Sequence, residues 1–423
     1  MQNIQPVCGV DKKTVASFAA LELIYWGIMG SFGAYFVAWM LHIGYAQSFV
    51  SILLILYLLS GMTGQFVLSG LCDRLRTNKR VFLFGVTAAA AAQLGMYFSK
   101  STWMLVACYA CYGFSLGPMG SVLDAWMLRS FRGNMKVYSP VRGAGSVGYA
   151  VIILTVGYLI GGFGYHVMPI CSSVIAAATI LLASTVPDAP FPKQEKGEGR
   201  ISGREIFAVL RAPAFSAILL LLVLTSMTSM PIANFKIVLL QSVGGDVTVQ
   251  GVDSFAGCLV QFLTFEAAAL VARFSARNRF YASIALVSLS LAVNYWAGSC
   301  AMVIAATMLT YASYGLLMPA VRELAIGMVD PRYHTTAIGL MDASYSFLGG
   351  AAAQLYVGRV AESQGIRAMV LLCLLLSFLP LLIIAWKEIL TKRKRREQNV
   401  WITGQKECCS NCLCCGEHRG RLP

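Results

Sequence analysis

Apolar runs of about 20 residues follow one another along this chain, separated by short charged clusters, and within each run the apolar positions are continuous rather than alternating. Runs of that length match the hydrocarbon thickness a helix must cross. They predict twelve membrane-spanning helices, near 15–42, 46–71, 81–98, 102–128, 139–162, 165–186, 214–242, 251–272, 280–297, 301–328, 335–358 and 367–390. Between the sixth and seventh runs lies a Pro-, Lys-, Glu- and Gly-rich segment from Pro187 to Pro213, which reads as a cytoplasmic loop with a short surface helix near Ser202 to Arg211. The pattern therefore divides the chain into an N-terminal six-helix bundle (1–186), a linker (187–213), a C-terminal six-helix bundle (214–390) and a tail (391–423). The fold class is an all-α polytopic membrane protein.

Composition agrees with the pattern. At 57% hydrophobic and 12% charged, the 423 residues exclude the soluble globular and disordered classes. The net charge of +14 would suit nucleic acid if it formed one patch, but it is spread over short loops. The even loops carry the cations: Arg74, Arg76, Lys79 and Arg80, then Arg129, Arg132 and Lys136, then Lys193 to Arg211, then Arg273, Arg277 and Arg279, then Arg332. The odd loops hold little beyond Lys100, Arg359 and Arg367. By the positive-inside rule the even loops and both termini are cytoplasmic, and no partner nucleic acid is expected. The first apolar run is too long for a cleavable signal peptide and lacks a small-residue cleavage site. The expected setting is the plasma (inner) membrane, with the lipid bilayer as partner and the chain a monomer. Eight of the thirteen cysteines are scattered and read as small packing residues.

Charges inside the runs are the candidate chemistry. An ionised side chain at the bilayer centre costs about 2.5–3.5 kcal/mol on insertion scales, so such residues face a wet cavity or each other. Asp124 in the fourth run and Arg142 in the glycine-rich fifth are the leading pair, read either as a site or as a structural ion pair between two helices. A guanidinium offers a rigid fork of donors and a carboxylate offers acceptors only, a combination suited to a polyhydroxylated or nucleoside ligand, although the fork would equally clamp a carboxylate. Glu22 in the first run faces the interior or snorkels to the cytoplasmic interface. Lys236 sits at the outer cavity mouth or snorkels outward. Glu266, between Phe265 and three alanines, is the candidate carrier of a coupling proton or else a structural partner for Arg322 or Lys236. Arg322 follows Pro319 at the inner end of the tenth run, and Asp342 in the eleventh is its candidate partner.

Several motifs carry a resemblance. Ser69-Gly-Leu-Cys-Asp73-Arg74-Leu-Arg76-Thr-Asn-Lys79-Arg80 resembles, in degenerate form, the loop signature of the major facilitator superfamily. A weaker copy, Ala272-Arg273-Phe-Ser-Ala-Arg277-Asn-Arg279, follows 199 residues later, as a parallel repeat of two six-helix halves would give. Ser139-Pro-Val-Arg142-Gly-Ala-Gly145-Ser-Val-Gly148-Tyr149 resembles the fifth helix of the lactose permease family and its nucleoside and phenylpropionate relatives, down to the eighteen residues separating Asp124 from Arg142. Pro231-Ile-Ala-Asn234-Phe235 and Glu362-Ser-Gln-Gly365 are similar to runs of the same family. The resemblance implies the major facilitator fold of two pseudosymmetric bundles. It implies substrate binding by Asp124, Arg142, Tyr149 and Asn234, and a conformational switch at Asp73 and Arg74. The charged tenth-helix trio of lactose permease is missing, since Met308 to Pro319 holds no charge, so proton coupling through Glu266, Glu22, Asp342 and Arg322 is an expectation for this chain and not a match.

Other signatures fail their context. Gly143-Ala-Gly145-Ser-Val-Gly148 has the spacing of a dinucleotide fingerprint, but no strand precedes it. The glycines suit close helix packing instead. No H-E-x-x-H or comparable paired motif lies in a run, so an enzyme is not expected, and neither is a cofactor. In the tail, Lys392 to Arg396 would hold the chain to anionic lipid. Cys409, Cys412, Cys415 and His418 recur every third residue, but one strand so short hardly wraps a tetrahedron, and the expectation is a reduced tail without metal, its cysteines also open to palmitoylation. Together these readings describe a secondary transporter that moves a small polar solute of the sugar or nucleoside class with a proton, by alternating access. The alternatives are a proton antiporter exporting amphipathic compounds and a non-transporting sensor.

Overall fold

In the computed structural model the described residues are 11–132, 134–189, 210, 212–267, 273–329 and 334–386. Residues 1–377 make one compact unit, and the described part of the second unit, 378–386, is helical and apolar. The helices run Lys12–His42, Gln47–Leu75, Lys79–Phe98, Thr102–Ser130, Met135–Phe163, Val167–Thr185, Pro213–Asn234 with its continuation Lys236–Gln241, Val247–Glu266, Ala276–Tyr295, Cys300–Met328, His334–Gln364 and Ile366–Trp386. They are numbered first to twelfth in that order. Among the described residues nine are long and apolar enough to cross a membrane. A helix is what lipid requires, because it satisfies every backbone polar group internally.

Local chemistry sets the ends. Side chains of Asp11, Asp246, Ser275 and Ser299 accept backbone N–H groups at the starts of the first, eighth, ninth and tenth helices. Gly44, Gly164, Gly244 and Gly365 turn the chain at φ near +90°, a backbone conformation glycine adopts without steric cost. These turns expose the repeat. Gly44 and Gly244 lie 200 residues apart, and Gly164 and Gly365 lie 201 apart. Likewise the first helix tightens over Gly33–Tyr35 and the seventh breaks at Phe235, 200 residues after Tyr35.

Helix contacts follow the small residues. The first and fifth helices pack so closely that a Cβ on Gly148 would run into the Leu23 carbonyl oxygen, and one on Gly145 would run into the Trp26 ring. We expect Gly148→Ala to lose at least about 1–3 kcal/mol of packing. Thermal unfolding of the purified variant, monitored by size-exclusion chromatography, checks it; Gly143→Ala, which meets nothing within 4 Å, is the control.

The halves join at the end carrying the Gly44 and Gly244 turns. A Cβ on Gly157 of the fifth helix would lie 3.1 Å from Gly251 Cα of the eighth, and the Tyr35 hydroxyl, bonded to the Ile153 carbonyl, lies against both glycines. On the second seam, between the second and eleventh helices, Gly358 faces Ser51 and the Gln47 carbonyl, and the Ser48 N–H donates to Glu362 Oε2 at 2.9 Å.

Some boundaries differ from the expected spans. The second helix continues through Asp73 to Leu75, where Arg76 takes a left-handed conformation. The eighth begins at Val247, earlier than expected, because Asp246 caps it, and it ends at Glu266. Glu266 is thus at a helix terminus and not mid-span; its side chain lies outside the described residues. The eleventh helix reaches Gln364 after a π-turn at Ser344–Gly349. The described cysteines are free thiols, with Cys72, Cys258 and Cys373 buried and Cys111 exposed. The surface helix expected near Ser202, Arg332, Lys392 to Arg396 and the cysteine tail lie outside the described residues.

Candidate functional site

Arg142 is the centre of a three-charge cluster. Its Nε lies 3.1 Å from Asp124 Oδ1 and its Nη1 lies 3.5 Å from Glu22 Oε2. The Trp26 indole N–H donates to that same Glu22 oxygen at 2.8 Å, and the guanidinium carbon stands 4.6 Å above the Trp26 ring. The spacing Glu22 to Trp26 is one helical turn, which puts both on one face of the first helix. Gly145 makes the arrangement possible, because a Cβ there would sit 2.6 Å from Glu22 Oε2. Tyr138 hydrogen-bonds Asp124, and Arg322 exerts its field on Asp124 from the tenth helix. Asp342 feels the same arginine, although among the described residues no ion pair joins them.

Glu22 is the tightest member at 1% exposure, and among the described residues its Oε1 has no hydrogen-bond partner. Snorkelling, one of its two expected positions, is not what the structure shows. Arg142 and Asp124 keep about 30% exposure, so the cluster is reachable from outside the fold.

Two helical turns further along the first and fifth helices lies a cavity of about 230 Å³. Tyr149 and Gly33 line it from the first half, and Asn234, Lys236, Gln250, Asp253, Thr307 and Tyr311 line it from the second. Expected substrate residues are therefore split between two places: Tyr149 and Asn234 face this cavity, and Asp124 and Arg142 form the cluster below it.

Lys236 corrects two expectations. It is buried, at 6% exposure, and neither snorkels nor stands at an open mouth. Its acid among the described residues is Asp253: Nζ lies 3.8 Å from Asp253 Oδ2, and the Thr307 hydroxyl accepts from Lys236 while donating to Asp253 Oδ1 at 2.7 Å. Asp253 falls at the edge of the expected eighth run, which starts at Gly251, where a charge is unremarkable. The signal that finds it is charge balance, since a buried lysine demands an acid within reach.

Asp73 and Arg74 stand at the far end of the bundle. Asp73 is largely exposed, 3.7 Å from Arg129 of the fourth helix, whose Nη1 donates to Asn78 Oδ1 at 2.9 Å. Thr77 and the backbone of Lys79 reach Asp188 after the sixth helix. In the second half Arg279 pairs with Glu323.

Sequence comparison then decides the family: the model of the MFS_1-like family matches residues 16–372. The chain belongs to the MFS_1-like family. It is a membrane transporter of the MFS type. Its fold is similar to solved structures of the nucleoside transporter NupG: a point mutant at TM-score 0.77 and 13% identity, covering 87% of this chain and 98% of that one, and NupG itself at 0.74 and 14%, covering 87% and 96%. A POT family transporter in complex with a thioalcohol-conjugated peptide superposes at 0.70 and 12% identity, covering 89% and 96%. At such identities the likeness is one of fold alone. No curated protein sequence matches the chain. For this MFS_1-like transporter the cavity and the cluster both lie where the two halves face each other, the location in which transporters of this architecture place substrate and ion sites.

Proposed function

We propose that the chain is a proton-coupled symporter of a small polar organic solute, of monosaccharide or nucleoside size, working by alternating access. The observation that carries this reading is the shared geometry of the Glu22–Asp124–Arg142 cluster and the cavity two turns away. Two carboxylates and one guanidinium sum to −1; Arg322, whose field reaches Asp124, also faces Asp342, so including both leaves the sum at −1, and a net charge in a low-dielectric interior is costly. One bound proton neutralises the cluster; Glu22 Oε1 and Asp124 Oδ1 both lack a hydrogen bond among the described residues, and Glu22, at 1% exposure against about 30% for Asp124, is the place for it. Glu266, Asp342 and Arg322 are further members of the proton path in this reading, and Asp73 and Arg74 form the switch that is remade as the halves rock.

The fully packed seam at Gly157 and Gly251 is the closed gate. With the cationic even loops in the cytoplasm, that gate is extracellular and the cluster opens inward. Both termini are then cytoplasmic and the membrane is the plasma (inner) membrane. The chain works as a monomer in this reading. We expect Gly251→Leu to hold the gate apart. A Ser254→Cys reporter, at a residue that lines the cavity, in a cysteine-free background should then react at least about tenfold faster with an impermeant thiol reagent added outside. An unchanged rate would place the gate elsewhere.

The proposal is tested by uptake of radiolabelled sugars, nucleosides and aromatic acids into vesicles under an inward proton gradient. Accumulation that collapses with a protonophore supports symport. Accumulation that rises when the gradient is dissipated would mean export by antiport.

A further inference from the structure

The Lys236–Asp253 pair is an unusual salt bridge, because it is not closed. A hydrogen-bonded ammonium–carboxylate pair sits at about 2.7–2.9 Å, whereas here the charged atoms are 3.8 Å apart with the Thr307 hydroxyl bridging them. An ammonium carries three donors. Lys236 donates one to Thr307, and Asp253 Oδ2 at 3.8 Å is beyond hydrogen-bond reach, so the other two have no hydrogen-bond partner among the described residues of the cavity it lines.

A second, independent atom in the same cavity also lacks a partner. Gln250 is 6% exposed; its Nε2 donates to the Ala34 carbonyl of the first helix at 3.0 Å, which fixes the amide, and its Oε1 accepts from nothing described. A buried acceptor left unmade costs about 1–3 kcal/mol. The cavity therefore asks for two things side by side: an anionic or strongly accepting oxygen for Lys236, and an O–H donor for Gln250. Asn234, two residues before Lys236 at the break of the seventh helix, adds an amide to the same wall.

We infer that the cavity is a carboxylate subsite, in which Lys236 takes the carboxylate of a small hydroxy acid and Gln250 accepts the hydroxyl beside it, so that the transported solute is an acid such as a sugar acid rather than a neutral sugar. Because Asp253 already balances Lys236, a carboxylate keeps the cavity neutral only if it enters with one proton, and a phosphate dianion, which would need two, is the poorer fit. This inference rests on the reading of the cavity as the transport site. It also changes the charge balance: one carboxylate moving with one proton carries no net charge, whereas a neutral sugar with one proton carries one.

The test is calorimetric binding to the full chain in nanodiscs, using matched pairs: glucose with gluconate and glucuronate, ribose with ribonate, glycerol with glycerate. Wild type is compared with Lys236→Gln/Asp253→Asn, which removes both charges while keeping volume and hydrogen-bonding capacity, so that no lone charge is buried. At least one acid is expected to bind wild type tenfold or more tighter than its neutral partner, and the double variant to lose that preference. An acid preference that survives the double variant, or no acid binding up to millimolar concentration, overturns the inference. Neutral sugars bound and driven by the proton gradient would overturn it while leaving the symport reading in place.

Discussion

Arg142→Ala is expected to cut solute uptake by at least about a hundredfold, the largest effect of any single substitution in this chain. The guanidinium holds Asp124 at 3.1 Å and Glu22 at 3.5 Å while resting on the Trp26 ring. Removing one partner of a fully buried charge pair costs about 3–5 kcal/mol; here Glu22, at 1% exposure, is left in that position, while Asp124, about 30% exposed, is left with less. Here two carboxylates would be left facing each other. A hundredfold loss of uptake corresponds to about 2.8 kcal/mol if it is carried by affinity, at about 1.4 kcal/mol per factor of ten. Arg142→Lys separates charge from geometry: it keeps the cation but loses the rigid fork and most of the stacking on Trp26. Its uptake should fall between wild type and Arg142→Ala, with the fold intact by size-exclusion chromatography. Uptake by Arg142→Ala within about threefold of wild type would reduce the cluster to a structural ion pair.

The second large effect is one of coupling. Glu22→Gln makes the cluster permanently neutral, with Asp124 and Arg142 balancing each other, and keeps an oxygen for the Trp26 N–H. Solute exchange across the membrane should persist within about threefold, since exchange needs only the loaded carrier to rock. Accumulation driven by a proton gradient should fall to the level of simple equilibration. Counterflow and gradient-driven uptake, measured on the same vesicles, separate the two. If Glu22→Gln still accumulates solute against a gradient, the proton rides elsewhere, and Glu266→Gln and Asp342→Asn become the variants to compare.

Much of the fold was legible because lipid leaves few choices. Continuous apolar runs dictated helices, and the echo of Asp73-Arg74 at Ala272-Arg273 announced a repeat that the Gly44 and Gly244 turns make visible in the backbone. Asp124 and Arg142 were legible for the same reason: a charge in an apolar run is too costly to be idle. What one sequence conceals is rotation and register. Glu22 joins Arg142 only because Gly145 and Gly148 let two helices approach to backbone contact, a distance no spacing rule contains. Asp253 looked like a span edge until its Asp246 cap moved the eighth helix start to Val247, which placed Asp253 beside Lys236. The break at Phe235, which sets the place of Lys236, is signalled by Pro231 one turn earlier, although a proline announces a kink and not its exact place; the π-turn at Ser344–Gly349 has no signature beyond neighbouring small and aromatic residues.

The most direct test of proton-coupled symport is proton flux itself, recorded with a pH-sensitive dye inside vesicles while a panel of sugars, nucleosides and hydroxy acids is added outside without any imposed gradient. Addition of a transported solute is expected to acidify the lumen, at one proton per solute, with no acidification in Glu22→Gln although the solute still exchanges. Solute entry with no change in lumenal pH in wild type would contradict proton-coupled symport.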